Sequence, residues 1–338
     1  MTWLVNILNL SIKSHRFKLV WLGAFIIFLF ILPLFSGDYF LYMVMQMAIL
    51  CLLSYSVNLL LGNTGLLSFG QAGFYACGAY ACGKVLLAGA SLLPGIIIGV
   101  AVAAIAAIIL GFFCIRHTAI YFAMITLAFG MMIFSLTQKW VDFTGGDDGL
   151  LGIPRASLSF FNIFNIKMDT IPAYYYFIIV TTLIAIYILY RILNSPLGLI
   201  FQGIRDSETR VSFVGISVKK SRLICFTIAG MYAGLGGALL APLEQTITPS
   251  VSHWITSTDP IIATLLGGMY NFSGPIFGSV IYFLLKDIIV RLTMNWMLIL
   301  GIIIIILVLT FRGGVMGTFR AYLLPRLKSR LRQGAKNG

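Results

Sequence analysis

Residues 195–222 read SPLGLIFQGIRDSETRVSFVGISVKKSR, and this polar segment separates two apolar runs at about residues 172–193 and 223–243. It is the only long polar stretch between two such runs that carries both signs of charge. An apolar run of about 20 residues can cross a bilayer as a helix. The sequence therefore predicts two membrane spans joined by a charged connection.

The polar segment itself has the pattern of one short amphipathic helix, from about residue 197 to 214. Ser195 is a favourable N-cap, Pro196 suits the first helical position, and Gly215 suits a left-handed residue beyond the end. Asp206 precedes Arg210 by four residues, which predicts an ion pair along the helix. The expected apolar seam consists of Ile200, Ile204, Ser207, Val211 and Val214.

A short charged helix between two membrane spans has two interpretations. It is either a solvated connector or a docking element for a soluble partner. One exposed ion pair stabilises a helix by only about 0.2–0.5 kcal/mol, which is too little to explain a cluster of charges as a folding device. Charges that fix the register of a partner explain the cluster better, so the docking interpretation is favoured.

The composition excludes an ordinary soluble domain, because 60% of the residues are hydrophobic and the mean hydropathy is +1.00. We predict an all-α, polytopic helical membrane protein of about ten (8–10) transmembrane helices, with broken or re-entrant Gly-rich segments. The expected spans are 19–35, 40–61, the Gly-rich stretch 62–83, 93–115, 118–138, 172–193, 223–243, two within 254–290, the first of them short, and 294–311.

The net charge of +13 comes mainly from Lys and Arg in loops and tails. The positive-inside rule then places the polar segment and both termini in the cytoplasm and residues 139–171 on the outer side. Since this rule explains the charge, nucleic acid is not expected as a partner and membrane lipid is. The expected organisation is an interfacial basic segment at 1–18, a transmembrane domain at 19–312 and a basic cytoplasmic tail at 313–338.

The stretch GNTGLLSFGQAGFYACGAYACG (62–83) is unlike a lipid-facing helix, because glycines recur through it. Glycine allows a helix to break at membrane depth, where broken backbone is tolerated only against protein or a water-filled cavity. We therefore regard this stretch as a candidate translocation path, and tight helix packing is the alternative. The candidate path residues are Asn58, Gly62, Gly65, Ser68, Gln71 and Gly73.

No catalytic centre, metal site or cofactor is expected. The histidines, His15, His117 and His253, are scattered without ligand spacing. Residues 78–84 match the GxxxxGK of a phosphate-binding loop, but Val85 stands where that loop needs a hydroxyl for Mg²⁺. The cysteines, all in apolar runs, are interpreted as small core residues: Cys51, Cys77, Cys82, Cys114 and Cys225.

Four stretches follow one another along most of the chain. They are NLLLGNTGLLSFGQAGFYACGAY (58–80), ITLAFGMMIFSLTQKWVDFTGGDDGL (125–150), NSPLGLIFQGIRDSETRVSFVGISVKKSRLICFTIAGMYAGLGGALLA (194–241) and LLGGMYNFSGPIFGSVI (265–281). In order and spacing, they resemble the permease subunits of bacterial branched-chain amino acid ABC importers, the LivM-type permeases. The family often ends its last span with Phe-x-Pro-x-Gly, whereas here Phe311 is followed by RGG.

The resemblance implies a transport subunit of the bacterial inner membrane that pairs with a second, homologous permease. It also implies two cytoplasmic ATPase subunits and a periplasmic substrate-binding protein as partners. The part of the polar segment that would dock on the ATPase contains Gly203, Arg205, Asp206, Glu208, Arg210 and Gly215. Urea and short-chain amide permeases are similar, so the substrate is either a branched-chain amino acid or one of these amides.

The alternatives from other functional classes are an ion-coupled secondary transporter and an intramembrane enzyme. An ion-coupled secondary transporter usually buries ionisable residues near the middle of the membrane, and here only Lys84 and the neighbours Lys286 and Asp287 qualify. An intramembrane enzyme would need a nucleophile with a base or a metal, which the scattered histidines do not supply. A permease without its own energy source is the leading prediction.

Overall fold

The structure is a computed structural model that describes residues 29–117, 119–160, 164–166, 168, 170–310 and 313–317. The basic segment predicted at 1–18, most of the first predicted span and nearly all of the predicted tail lie outside the described residues. The described end of the first span contains a short 3-10 helix, Leu32–Leu34.

The described residues are mainly α-helical, which confirms the predicted all-α class. The helices are α1 Asp38–Thr64, α2 Gln71–Leu87, α3 Leu92–Cys114, α4 Ala119–Lys139, α5 Ile171–Leu193, α6 Pro196–Asp206, α7 Glu208–Phe213, α8 Val218–Glu244, α9 Trp254–Gly267, α10 Gly274–Leu292 and α11 Trp296–Thr310. A single turn, Val141–Thr144, follows α4. Among the described residues, α1, α3, α4, α5 and α8 are long and apolar enough to cross a membrane, so the chain is polytopic. The total of about ten spans stays a prediction.

Helix α8 lies at the centre of the bundle, where it packs against α1, α2 and α3. The most apolar stretches of α1 and α8 are 72% and 67% buried, against 33% for α3. Small residues allow these helices to approach closely: a Cβ on Gly237 would meet the carbonyl oxygen of Tyr75, and one on Gly234 would meet Ala103. Helix α3, which is less buried, carries exposed apolar side chains such as Ile105, as expected for a helix that faces lipid.

The Gly-rich stretch breaks as predicted. Helix α1 ends at Thr64, Gly65 adopts a left-handed conformation with φ of 73°, and α2 begins only at Gln71. Helix α2 has 17 residues and is about 26 Å long, which is shorter than the hydrocarbon core of a bilayer. The prediction of a short first helix within 254–290 is also confirmed, because α9 has 14 residues.

The bundle has two chemically different ends. Helices α1 and α8 each have 27 residues, or about 40 Å. Tyr42, near the start of α1, donates a hydrogen bond to Glu244 at the end of α8, with 2.6 Å between the oxygens. Gly62, near the end of α1, contacts Arg205 of the polar segment. The polar segment and Glu244 therefore lie at opposite ends.

The end that holds Glu244 is the acidic end. Strand Leu150–Leu151 pairs antiparallel with Thr246–Ile247 there, beside the 3-10 turns Gly146–Asp148 and Pro249–Ser252. Strands Leu158–Phe160 and Phe164–Ile166 form a second antiparallel pair in the same connection. The acidic residues here include Asp142, Asp147, Asp148 and Glu244. The end that holds the polar segment is the basic end.

The single helix predicted at 197–214 is wrong, because the polar segment forms two helices. Helix α6 begins at Pro196 as predicted, but Ser207 is extended, with φ of −168°, and starts a second helix, α7. The Ser207 side chain caps α7 by accepting a hydrogen bond from the backbone N–H of Arg210. Gly215 follows α7 with φ of 85°, which confirms the left-handed conformation predicted there.

Candidate functional site

The break between α1 and α2 is filled by a buried polar cluster around Gln71. Ser56 Oγ lies 2.7 Å from both the Gln71 Oε1 and the carbonyl oxygen of Ala229, so its single proton serves one acceptor at a time. Gln71 Nε2 lies 3.5 Å from Ser68 Oγ. Ser56, Ser68 and Gln71 are at most 2% exposed. The structure therefore brings the predicted path residues Ser68 and Gln71 together inside the chain.

Side chains from neighbouring helices satisfy the backbone at this break. The N–H of Ala72 donates to Ser257 Oγ of α9 at 2.9 Å, and the N–H of Phe69 donates to Thr126 Oγ1 of α4 at 3.2 Å. The first N–H groups of a helix have no partner within the helix, and in a membrane they need one from protein or enclosed water. Because protein hydroxyls supply it, the break is a packed element.

The predicted path glycines allow close packing. A Cβ on Gly73 would lie 2.7 Å from Ile133 Cδ1 of α4, and one on Gly62 would meet the carbonyl oxygen of Met269. Asn58 is also buried, and its Nδ2 donates to that Met269 oxygen at 2.7 Å. The packing interpretation accounts for these contacts. A transport role for Asn58, Gly62, Gly65, Ser68, Gln71 and Gly73 stays a prediction.

Arg205 turns inward and caps the end of α1. Its Nη1 donates to the carbonyl oxygen of Gly62 at 2.7 Å, and its guanidinium lies 5.2 Å from the ring centre of Tyr270. The last carbonyl groups of a helix lack intrahelical partners, and a cation stabilises that end. Arg205 thus joins the polar segment to the helix that leads into the break.

Glu208 also turns inward. Its carboxylate forms an ion pair with Arg222 in the first turns of α8, and the Arg222 side chain is only 4% exposed. The Arg222 Nε has no hydrogen-bond partner among the described residues. The predicted pair of Asp206 with Arg210 is wrong: Asp206 pairs with Arg205 at 3.2 Å, because the helix breaks at Ser207 and Arg210 belongs to α7.

The outward face of the polar segment is apolar at its tip. Phe213 and Val214 are 84% and 79% exposed, and Arg210 is also exposed. Gly203 lets α7 fold back on α6, since a Cβ there would lie 3.0 Å from Val211 Cγ2. Sequence reasoning missed Phe213. An aromatic residue just before the helix-ending glycine of a charged segment could have indicated it.

Each end of the bundle holds a cavity. One of about 470 Å³ opens at the acidic end and is lined by residues such as Gln138, Asp147 and Thr256. One of about 340 Å³ lies at the basic end, and Arg205 and Phe272 are among the residues that line it. Asn58 and Gly62, predicted for the path, line this second cavity together with Arg205, which was predicted for docking.

An ion pair joins α9 to α10 near the acidic end. Lys286 Nζ lies 2.6 Å from Asp259 Oδ2, and the Tyr282 hydroxyl donates to Asp259 Oδ1 at 2.6 Å. Lys286 and Asp287, considered together from the sequence, do not pair; Asp287 pairs with Arg291 at 3.1 Å. Adjacent residues on a helix point in different directions, whereas residues four apart share a face.

The family model for "Branched-chain amino acid transport system / permease component" matches residues 39–309. The high-affinity branched-chain amino acid transport system permease protein LivM of Escherichia coli (strain K12) is 27% identical over 306 residues, which cover 85% of this chain and 71% of that protein. LivM of Salmonella typhimurium is 26% identical over the same shares. A probable branched-chain amino acid transport permease protein, LivH of Methanocaldococcus jannaschii, is 29% identical over 31% of this chain and 32% of its own length. No solved structure shows a significant match.

Proposed function

This chain belongs to the family of permease components of branched-chain amino acid transport systems, and we propose that it is a membrane subunit of an ABC importer. With its apolar helices, it is a multi-pass protein of the inner membrane. The proposed cargo is leucine, isoleucine or valine. Separate cytoplasmic subunits hydrolyse the ATP, and this chain performs no chemical step of its own.

The proposed complex contains a second, homologous permease, two ATPase subunits and a periplasmic binding protein. In it, the transmembrane domain spans 19–312, and the basic end, with both termini and the tail at 313–338, faces the cytoplasm. The charge difference between the two ends of the bundle supports this orientation through the positive-inside rule. The acidic end then faces the periplasm and the binding protein.

We base the proposed coupling between the ATPase subunits and the membrane helices on the contact of Arg205 with Gly62. Gly62 lies in the last turn of α1, two positions before Thr64, so the 2.7 Å hydrogen bond joins the polar segment to the start of the break. The ion pair of Glu208 with Arg222 holds α7 against α8. Movement of the segment would therefore reach two central helices. The exposed tip at Phe213 and Val214 is then left for the ATPase.

The proposed path runs beside the break at residues 65–70. The uncharged hydroxyl and amide groups at this break include those of Ser68 and Gln71. They would replace part of the hydration of the zwitterionic amino acid without adding a net charge to the path. In this chain they are buried, so opening of a path requires that α2 shift relative to its neighbours. A second permease subunit against this chain would supply the opposite wall.

The test is uptake by the complete complex in proteoliposomes. We expect labelled leucine, isoleucine and valine to enter only when ATP and the binding protein are present, and urea and acetamide not to enter. A complex without the ATPase subunits is the control. Uptake of urea in place of the amino acids would favour the amide-permease alternative.

The ion pair of Asp259 with Lys286 is the feature that favours the alternative function, an ion-coupled transporter. Both side chains are partly buried between α9 and α10, at 25% and 32% exposure. The same vesicles decide between the two mechanisms. Uptake that continues without ATP and stops when an ionophore collapses the ion gradients would overturn the ABC proposal.

A further inference from the structure

The cavity of about 340 Å³ at the basic end lies where the polar segment meets the membrane helices. Helices α1, α5 and α6 and the connection at residues 268–273 each contribute to its lining. Its volume is at the small end of the range for ligand sites, about 300–1,000 Å³. It is therefore large enough for one molecule of amino-acid size.

Side-chain amides give the cavity its polar character. Five line it: Asn58, Asn63, Asn194, Gln202 and Asn271. Asn58, Asn63 and Asn194 donate their N–H groups to backbone oxygens, at 2.7, 3.2 and 2.8 Å respectively.

The amide oxygens of those three asparagines accept no hydrogen bond from the described residues. The amides of Gln202 and Asn271 have no hydrogen-bond partner there at all. Amide oxygens accept from an ammonium group without adding charge, and an ammonium group has three protons to donate.

Arg205 supplies the complementary group. Its Nη1 and Nε are occupied by the Gly62 carbonyl oxygen and Asp206, and its Nη2 has no partner among the described residues. A carboxylate is the natural acceptor for a guanidinium N–H. Because Asp206 offsets the charge of Arg205, the cavity favours a ligand with no net charge.

Aromatic and aliphatic side chains line the rest of the cavity. The rings of Tyr190 and Phe272 pack edge to face, with centroids 5.4 Å apart, and Leu193 lies beside them in the lining. Burial of a short alkyl group against such a surface is favourable by about 0.8 kcal/mol per methylene. The lining thus combines a cation, uncharged acceptors and an apolar wall.

We propose that this cavity binds a free zwitterionic amino acid with a short apolar side chain, at the end of the bundle that carries the polar segment. The ligand carboxylate meets Arg205, its ammonium meets the amide oxygens, and its alkyl group lies against Tyr190 and Phe272. The proposal rests on the proposed function for the ligand class. Since Gln202 and Arg205 belong to α6, an occupied cavity holds the segment against α1, and by linkage the position of the segment changes the affinity.

Equilibrium binding of labelled L-leucine to the purified full chain in lipid nanodiscs tests the proposal. No ATPase and no binding protein are present. We expect saturable binding that weakens by roughly three- to tenfold in Asn271→Ala and again in Gln202→Ala, as loss of one hydrogen bond predicts. Gln138→Ala, which changes the other cavity, is the matched control and should bind leucine as the unaltered chain does.

Competitors test the ligand class. We expect 4-methylpentanoate, which lacks the ammonium, and 3-methylbutylamine, which lacks the carboxylate, to compete at least tenfold more weakly than leucine. The proposal is overturned if binding is not saturable, if Gln138→Ala and not Asn271→Ala weakens it, or if inorganic phosphate competes as well as leucine. If the complete complex takes up leucine but this chain alone does not bind it, the proposed binding site is wrong and the proposed function stands. If this chain binds leucine but the complete complex does not take it up, the proposed function is wrong and the binding site stands.

Discussion

At the scale of single residues, the charges of the polar segment divide into inward and outward groups. Arg205 and Glu208 hold backbone and side-chain partners in the bundle, at Gly62 and Arg222. Arg210 forms no ion pair within the described residues. Loss of one charge from a buried ion pair destabilises the fold more than loss of one charge from a solvent-exposed pair. The two groups should therefore respond differently to substitution.

The ion pair of Glu208 with Arg222 should stabilise the fold. Glu208→Gln removes the charge that balances a guanidinium 4% exposed, and we expect a loss of about 1–3 kcal/mol. The matched control, Asp206→Asn, breaks an exposed pair and should cost no more than about 1 kcal/mol. Unfolding of the purified protein in detergent measures both. Equal losses would mean that burial of Arg222 adds nothing.

Arg205 and Arg210 should separate folding from docking. Arg205→Glu places an acid beside the Gly62 carbonyl, so the unfolding midpoint should fall. Arg210→Glu changes only an exposed charge, so we expect an unchanged midpoint and reduced retention of the ATPase during purification. If Arg210→Glu retains the ATPase and its substrate-stimulated hydrolysis in full, Arg210 is no docking contact.

At the scale of elements, the break between α1 and α2 is held by neighbours on three sides. Hydroxyls of α4 and α9 accept from its backbone, and Arg205 of α6 caps the helix before it. Gly73 then lets α2 lie directly against α4. A bulky residue at Gly73 would thus disturb packing before it could obstruct a path, and transport assays alone cannot separate these effects.

A double-mutant cycle tests the contact of α2 with α4. In Gly73→Ala the new methyl would lie 2.7 Å from Ile133 Cδ1, and Ile133→Val removes that carbon. We expect Gly73→Ala to be about 1 kcal/mol more favourable in the Ile133→Val background than in the unaltered chain. Unfolding midpoints of the four proteins give the coupling. Additive effects would show that the helices are not in this contact.

At the scale of the whole molecule, the two ends differ in charge and in the elements they hold. The acidic end contains the short strands and the cavity near Asp147, and the basic end contains the polar segment. Charge asymmetry of this kind sets the orientation of helical membrane proteins. Accessibility from each side of the membrane should therefore follow the two ends.

Thiol labelling tests this orientation. In a background without the native cysteines, Asp148→Cys should react with a membrane-impermeant reagent in intact spheroplasts, because Asp148 is exposed at the acidic end. Thr209→Cys, exposed on the polar segment, should react only after the membrane is opened. The reverse pattern would invert the topology and place the segment outside, where no ATPase could bind it.

The sequence by itself determined the membrane class, the positions of most helices and the presence of a helix break within the Gly-rich stretch 62–83; the structure places that break after Thr64. These features depend on local properties. They are apolar runs long enough to cross a bilayer, N-cap residues, and glycines that adopt a left-handed conformation just after a helix, as Gly65 and Gly215 do. The length of each apolar run and the residue types at its ends are visible in a single window of sequence.

Only the tertiary structure decided which way the charges point. Arg205 and its partner Gly62 are 143 positions apart, and Lys286 reaches Asp259 on another helix. The break at Ser207 interrupts a pattern that suits one helix. The Ser207 side chain caps the second helix there, and Glu208, the next residue, pairs with Arg222 on α8, a contact that no local pattern contains. Packing of one helix on another sets the rotation of each, and that rotation depends on contacts no local window contains.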